Sequence, residues 1–296
     1  MTAPDERFRP RRLVYLGTPD AAVPPLTALH DAGFDIALVV SRPDRRRGRG
    51  SKTTPSSVKA AALERGLPVT TDLAEAATVG AELGVVVAYG RIIPNPILDR
   101  LRMVNIHFSL LPRWRGAAPV ERAILAGDAE TGVCLMDVAP ELDTGAVYQR
   151  RTVTIEPGET ADRLTARLAR IGADLVVDTL VDGLGRPDPQ VGTVTYAAKI
   201  DPAELRLDWA EPAEQLARVT RIGRAWTTYH DKRLRVVDAR PVEGAAGGSV
   251  GSIGPAGVTT GAGTLELITV QPEGKRPMAA AAWLNGVRPG PGDRLV

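Results

Sequence analysis

Apolar residues along this chain fall in short runs cut by glycine and proline, and their spacing predicts strands alternating with helices. Residues 12–16 (RLVYL) read as a short buried strand ended by Gly17-Thr18-Pro19-Asp20. A helical pattern follows from about Val23 to Ala32 and stops at Gly33, and residues 34–40 (FDIALVV) read as a second strand. This is a βαβ opening, which predicts a parallel sheet with helices on its faces. The pattern continues with a helix from Pro55 to Arg65, short strands at 67–70 and 84–89, further strands at 104–107 and 132–138, and a helix from Pro119 to Ala126. The run GVVVAY at 84–89 is almost wholly apolar, as expected of a strand covered on both faces. Residues 158–183 carry a helical pattern with Leu164, Leu168, Ile171, Leu175, Val176 and Leu180 as its apolar positions.

The character then changes. GLGRPDPQVG (183–192) is rich in glycine and proline and reads as a linker. Beyond it, RLRVVDARPVEG, GSVGSIGPAGVTTGAGTLELITVQPEG and the final PGDRLV are strand-like runs divided by glycine turns, the spacing of a small β-barrel. The expected architecture is an α/β parallel-sheet domain followed by a small β domain, with the boundary near 190–207.

Composition narrows the class. The chain has 296 residues, 44% of them hydrophobic and 24% charged, so there is material for real cores and no case for global disorder. The single cysteine, Cys134, excludes an intramolecular disulfide and a cysteine cluster for zinc. His30, His107 and His230 are scattered without a spacing such as HxxxH, so no metal is expected. The start, MTAPDERFRPRR, has no apolar signal core, and no run approaches a membrane span. A cytoplasmic, monomeric protein with no membrane partner is the expectation.

Net charge is only +2, so distribution matters more than the total. Residues 41–52 (SRPDRRRGRGSK) hold Arg42, Arg45, Arg46, Arg47, Arg49 and Lys52 against the single acid Asp44. Such a run reads either as a solvated surface loop or as an arm that clamps an RNA phosphate backbone with salt-sensitive contacts. Its place after a strand, at the edge where open parallel sheets bind ligands, favours the arm. At the first strand, Gly17-Thr18-Pro19-Asp20 lacks the further glycines of GxGxxG, which argues against a dinucleotide.

The most informative stretch is NIHFSLLPRWRGAAP (105–119), followed by ELDTG (141–145). Asn105 and His107 are one residue apart, so on a strand both side chains share a face. Asp143 follows the strand at 132–138 in a Leu-Asp-Thr-Gly turn, and adjacent parallel strands would bring it close to that pair. An amide, an imidazole and a carboxylate around one cleft suit acyl transfer to an amine. Charge developing on the acyl oxygen needs fixed donors, and the proton leaving the amine needs an acceptor. The bland alternatives are a structural histidine and two turn-forming polar residues. Cys134, in the apolar run GVCLM, reads as a buried inert thiol.

At these residues the sequence resembles a known family. NIHFSLLPRWRGAAPVERAILAGDAETGV followed by ELDTGAVY is similar to the signature of the 10-formyltetrahydrofolate-dependent formyltransferases. The RWRGAAP and GDAETGV blocks resemble the branch that acts on methionyl-tRNA. GTPDAAVPPL (17–26), SRPDRRRGRGSKTTPSSVK (41–59), AYGRIIP (88–94) and QPEGKRPMAAAAWLNG (271–286) agree with it, so the similarity spans nearly the whole chain.

The resemblance implies a Rossmann-like formyltransferase domain over 1–189, a linker at 190–207 and an OB-like tRNA-binding domain over 208–296. It implies Asn105, His107 and Asp143 as the catalytic trio. Ser109, Leu110, Leu111 and Pro112 match the folate-binding signature, with Ala88, Tyr89, Gly90 and Ile92 along the pterin pocket. The loop at 41–52, with Arg49 in its Gly-Arg-Gly, matches the insertion that enters the tRNA acceptor end. The implied donor is 10-formyltetrahydrofolate, and the implied acceptor is initiator methionyl-tRNA. Two stretches depart from the family pattern, RIGRAWTTYHDK near Trp226 and the unusually basic Arg45-Arg46-Arg47. The competing functions are formyl transfer to glycinamide ribonucleotide or a sugar nucleotide, and a non-catalytic RNA binder. The first two need no arginine loop, and the last gives no reason for the trio to accompany SLLP.

Overall fold

The computed structural model describes residues 7–46, 53–243 and 248–296. They form two compact units. One comprises Met1–Val120, Glu130–Thr154 and Thr165–Ala198, and the other Glu121–Ala129, Ile155–Leu164 and Lys199–Val296.

The first unit is built on a seven-stranded sheet of β1 (Arg12–Gly17), β2 (Asp35–Val40), β3 (Val69–Thr70), β4 (Leu83–Val87), β5 (Met103–His107), β6 (Glu130–Asp137) and β7 (Val147–Thr154). Their order across the sheet is β7-β6-β5-β4-β1-β2-β3. The five strands from β5 to β3 run parallel, and β6 and β7 are antiparallel to their neighbours. All five residues of β4 and the last five of β1 are buried, which is why these strands read as unbroken apolar runs rather than alternating ones.

Helices α1 (Val23–Asp31), α2 (Ser57–Glu64), α3 (Pro119–Ala126) and α4 (Ala161–Asp182) fall where the periodicity predicts them. Local chemistry sets their ends. Prolines occupy the first turn of α1, where a missing N–H costs nothing, and Gly33 follows it at a φ of 83°. The Ser56 hydroxyl caps α2 by accepting from Lys59 N at 3.0 Å. Helix α4 lies so close to β5 that a Cβ on Gly172 would sit 2.8 Å from Ile106 Cγ2.

The last two strands of this sheet differ from the sequence reading. The run at 132–138 belongs to β6, which is antiparallel rather than parallel to β5. Strand β7 was not foreseen, because VYQRRTVT is mostly exposed and lacks an apolar face. It is an edge strand, and its charged residues suit an edge that must not pair further.

The second unit holds an antiparallel sheet of β8 (Trp226–Tyr229), β9 (Lys232–Val242), β10 (Ile253–Gly254), β11 (Gly257–Thr259), β12 (Thr264–Pro272) and β13 (Met278–Ala279). The order is β8-β9-β12-β11-β10, with β13 on β12. Helices α5 (Ala213–Arg221) and α6 (Ala280–Val287) accompany it and were not read from the sequence. The final PGDRLV forms no strand of its own; Val296 instead exchanges backbone hydrogen bonds with Thr228.

Candidate active site

The site lies at the carboxyl edge of the parallel strands. After β1 the chain moves outward to β2 and β3, then returns to β4 and β5 on the other side of β1. Such a reversal opens a crevice between the two strands, where open α/β sheets bind ligands. The turns leaving β1 and β4 are tied together, since the Thr18 hydroxyl donates to Tyr89 O at 3.2 Å. Gly17 is required there because a Cβ would lie 2.9 Å from Ala22 Cβ. Beyond β4, Ala88 and Gly90 adopt left-handed backbone (φ 45° and 77°), a conformation that concentrates at ligand sites. Both are exposed, whereas Tyr89 between them is buried, and burial raises its phenol pKa.

Asn105 and His107 stand on β5, Asn105 opposite Val86 of β4 and Met136 of β6, and His107 opposite Cys134. As alternate residues of one strand they share a face. The His107 ring is 5% exposed, and its Nε2 lies 2.9 Å from Trp114 O. A carbonyl only accepts, so Nε2 carries the hydrogen. That leaves Nδ1 facing the Asp143 carboxylate, with Oδ2 at 3.6 Å, inside ion-pair range but longer than a hydrogen bond. The same Oδ2 accepts from Gly116 N at 2.8 Å. The Asn105 carboxamide makes no side-chain hydrogen bond among the described residues, so its N–H donors are open to a substrate oxygen.

The motif residues around the trio have physical reasons. Asp143 is left-handed (φ 53°), which aspartate tolerates better than most residues. The Thr144 hydroxyl closes the turn on Glu141 O at 3.0 Å. A Cβ on Gly145 would fall 1.8 Å from Asp137 O, so the Leu-Asp-Thr-Gly turn closes only with glycine there. Gly116 has a φ of 120°, and its Cβ would meet Ala197 O at 2.9 Å. Asp143 thus reaches His107 through a turn that doubles back after β6, not along a neighbouring parallel strand.

The SLLP segment is largely turned into the protein. Ser109 is fully buried and donates to Arg113 O at 2.6 Å. Leu111 packs with Cys134, Met136 and Val147, and the Leu111–Pro112 peptide is cis. Leu110 fills the space left by Gly132, where a Cβ would lie 2.5 Å from Leu110 Cδ2. Pro112 is buried, and Ile92 is 76% exposed. Of the residues singled out for folate, Ala88, Gly90 and Ile92 are exposed, while Tyr89, Ser109, Leu111 and Pro112 are buried. Cys134 is buried, which pushes its thiol up and leaves it unreactive at neutral pH.

Residues 188–197, read from sequence as linker, contribute to the site. Asp188 pairs with Val147, Thr195 Oγ1 accepts from Trp114 N at 2.8 Å, and Tyr196–Ala197 run parallel to Arg115–Gly116. The Gln190 carboxamide nitrogen donates to Asp143 O and Gly145 O, both at 2.8 Å, and its oxygen accepts from Arg115 Nε and Nη2 at 3.0 and 2.7 Å. No local signal marks these residues, because every partner of Gln190 lies 45 or more positions away.

The foot of the arginine loop is well anchored. Ser41 Oγ and Ser56 Oγ are 2.6 Å apart, Lys59 pairs with Asp44 at 2.8 Å, and Arg42 Nη1 donates to Gly90 O at 3.0 Å. Arg45–Arg46 pair antiparallel with Thr53–Thr54 through the backbone. Arg47, Arg49 and Lys52 lie outside the described residues. In the second unit, Arg206 and Arg233 approach the Trp226 ring at 5.7 and 4.3 Å, and Arg233 lines a cleft with Arg224 and Arg235. Among the described residues no group of three or more His, Cys, Asp or Glu is placed to hold a metal, and no helix is long and apolar enough to cross a membrane.

The chain is similar to known proteins over nearly its whole length. The Formyl transferase family model matches residues 11–180, and the model of the formyl transferase C-terminal domain matches 199–288. The methionyl-tRNA formyltransferase of Roseobacter denitrificans is 48% identical over 292 residues, which are 93% of this chain and 95% of that protein. The structure of methionyl-tRNA formyltransferase from Clostridium thermocellum has a similar fold, with a TM-score of 0.56 at 17% identity over 80% of this chain and 95% of that one. HypX from Aquifex aeolicus, solved in complex with tetrahydrofolic acid, aligns with a TM-score of 0.65 at 17% identity over 95% of this chain, which spans 48% of HypX. Those two likenesses concern the fold. The two domain models and the near full-length identity together place the chain in the methionyl-tRNA formyltransferase family.

Proposed function

We propose that this chain transfers a formyl group from 10-formyltetrahydrofolate to the α-amino group of methionyl initiator tRNA in the cytoplasm, giving N-formylmethionyl-tRNA for translation initiation. The observation that carries the reading is the convergence of Asn105, His107 and Asp143 at the carboxyl edge of the sheet, in a chain 48% identical to a methionyl-tRNA formyltransferase. The catalytic domain extends to Ala198 rather than ending at 189, because Gln190, Thr195 and Tyr196–Ala197 pack against the site instead of forming the expected linker. Residues 208–296 hold the acceptor stem, with Arg233 against the Trp226 ring and beside Arg224 and Arg235 in one cleft as a surface suited to a phosphate backbone.

The donor set fits the chemistry. The exposed residues Ala88 and Gly90 suit a backbone edge for a pterin, with the Gly90 carbonyl already accepting from Arg42. Free α-amino groups have pKa values of about 7.7–8.0, so a usable neutral fraction of the acceptor exists near neutral pH. The site therefore needs mainly to position and to stabilise. The amine nitrogen attacks the formyl carbon, and the Asn105 N–H donors stabilise the charge that develops on the formyl oxygen. His107 Nδ1 and the Asp143 carboxylate face each other at 3.6 Å and together form the proton acceptor. They take up the proton that the amine loses and return one to the folate nitrogen as its bond to the formyl carbon breaks. No net proton is gained or lost.

The direct test is formylation of charged initiator and elongator methionine tRNAs with 10-formyltetrahydrofolate. The expected result is efficient use of the initiator alone; equal use of both would remove the initiator assignment. The basic loop gives a second test. Replacing Arg45, Arg47 and Arg49 together by alanine is expected to lower kcat/KM for tRNA and flatten its log–log salt dependence by about 2, as for the loss of three phosphate contacts to a single strand. The KM for the formyl donor should stay unchanged. An unaltered salt slope counts against the loop as a phosphate clamp.

A further inference from the structure

We propose that Gln190 is a positioning residue for formyl transfer, acting through Asp143. The inference rests on the catalytic reading of Asp143 and adds the group that fixes it. The turn carrying Asp143 projects two backbone carbonyls, Asp143 O and Gly145 O, and the Gln190 nitrogen donates to both at 2.8 Å. The orientation of that carboxamide is itself determined, because Arg115 donates twice to its oxygen and an arginine has no acceptor to offer the nitrogen. Arg115 precedes Gly116, whose N–H holds the Asp143 carboxylate. Trp114, one residue earlier, supplies the carbonyl that fixes His107. One side chain thus joins the segment that sets His107 to the turn that sets Asp143.

The placement matters because Gln190 holds the two backbone carbonyls of the Asp143 turn, which the Gly116 and Thr144 hydrogen bonds do not touch. Its carboxylate stands 3.6 Å from Nδ1, a separation that a shift of about 1 Å would either close to hydrogen-bonding distance or open beyond ion-pair range. Gly145 is pinned against Asp137 O on one side of the tip, and Gln190 bridges from the other. Misplacing a catalytic group by about 1 Å can cost about 100-fold in rate without touching substrate binding.

Gln190→Glu separates hydrogen-bond donation from packing. It keeps the shape and the Arg115 contact but sets a carboxylate oxygen against two carbonyls it cannot donate to. The expected result for Gln190→Glu and Gln190→Ala is a fall in kcat of about 10–100-fold, with KM for both substrates unchanged within about threefold. In an Asp143→Asn background, Gln190→Ala should add less than about threefold, because both changes disable the same group. A kcat held at the parent level, a loss confined to KM, or losses that multiply in the double variant would each overturn the proposal. If Asp143→Asn alone leaves formylation intact, the catalytic reading falls and this one with it. If Asp143→Asn is slow while both Gln190 variants stay fast, only the role of Gln190 is lost.

Discussion

Replacing His107 by alanine is expected to lower kcat for formylation by about 10²–10⁴-fold, the span general acid–base groups contribute. The ring does two things at once. It carries a hydrogen on Nε2, fixed by Trp114 O, and it presents Nδ1 to Asp143. Without it, the Asp143 carboxylate loses the imidazole it faces, and the Trp114 carbonyl loses its donor. The fold should persist. A truncation of this size costs about 0.5–3 kcal/mol, and each kcal/mol moves the melting midpoint of a chain this long by about 2–4 °C. Single-turnover formylation at saturating donor, read beside a thermal melt, separates the two effects. A folded variant that turns over at the parent rate would remove His107 from the chemistry.

The second large effect is expected from Asp143→Asn, with kcat and kcat/KM falling together by about 10²–10³-fold. Asparagine is the informative replacement. It accepts the left-handed backbone at φ 53° as readily as aspartate, and its amide oxygen can still take the Gly116 N–H. What disappears is the negative charge and the ability to hold a proton opposite Nδ1. Alanine at the same position would also strain the turn, so its larger loss would be harder to assign. Tight substrate binding with slow transfer is the signature to look for; a raised KM at unchanged kcat would mean that Asp143 binds substrate instead of serving the transfer.

Much of the framework was readable because it depends on short-range patterns. The parallel core was visible in the unbroken apolar runs of β1 and β4, and the end of α1 in Gly33. The shared face of Asn105 and His107 followed from the two-residue period of a strand. The direction of β6 was not readable, because an apolar run gives no sign of which way its neighbour runs. Strand β7 escaped because an exposed edge strand needs no apolar face. Helix α5 did carry a signal, with Leu216, Val219 and Thr220 buried at helical spacing, but the expectation for the second domain rested on the glycine-divided runs from Arg233 onward. Gln190 was illegible for a different reason. It sits among glycines and prolines, and its importance arises only when segments 47 and 75 residues away close around it.

The ladder between Tyr196–Ala197 and Arg115–Gly116 bears on how this enzyme can be dissected. A fragment cut after residue 182, at the end of the last long helix, would retain every residue of the trio yet lack the strip that straightens the Trp114–Gly116 segment. Such a fragment is expected to keep its sheet and lose its rate, whereas one extended to Ala198 carries the whole reactive apparatus. Insertions between 190 and 197 should be poorly tolerated for the same reason, in a stretch whose composition would otherwise invite them.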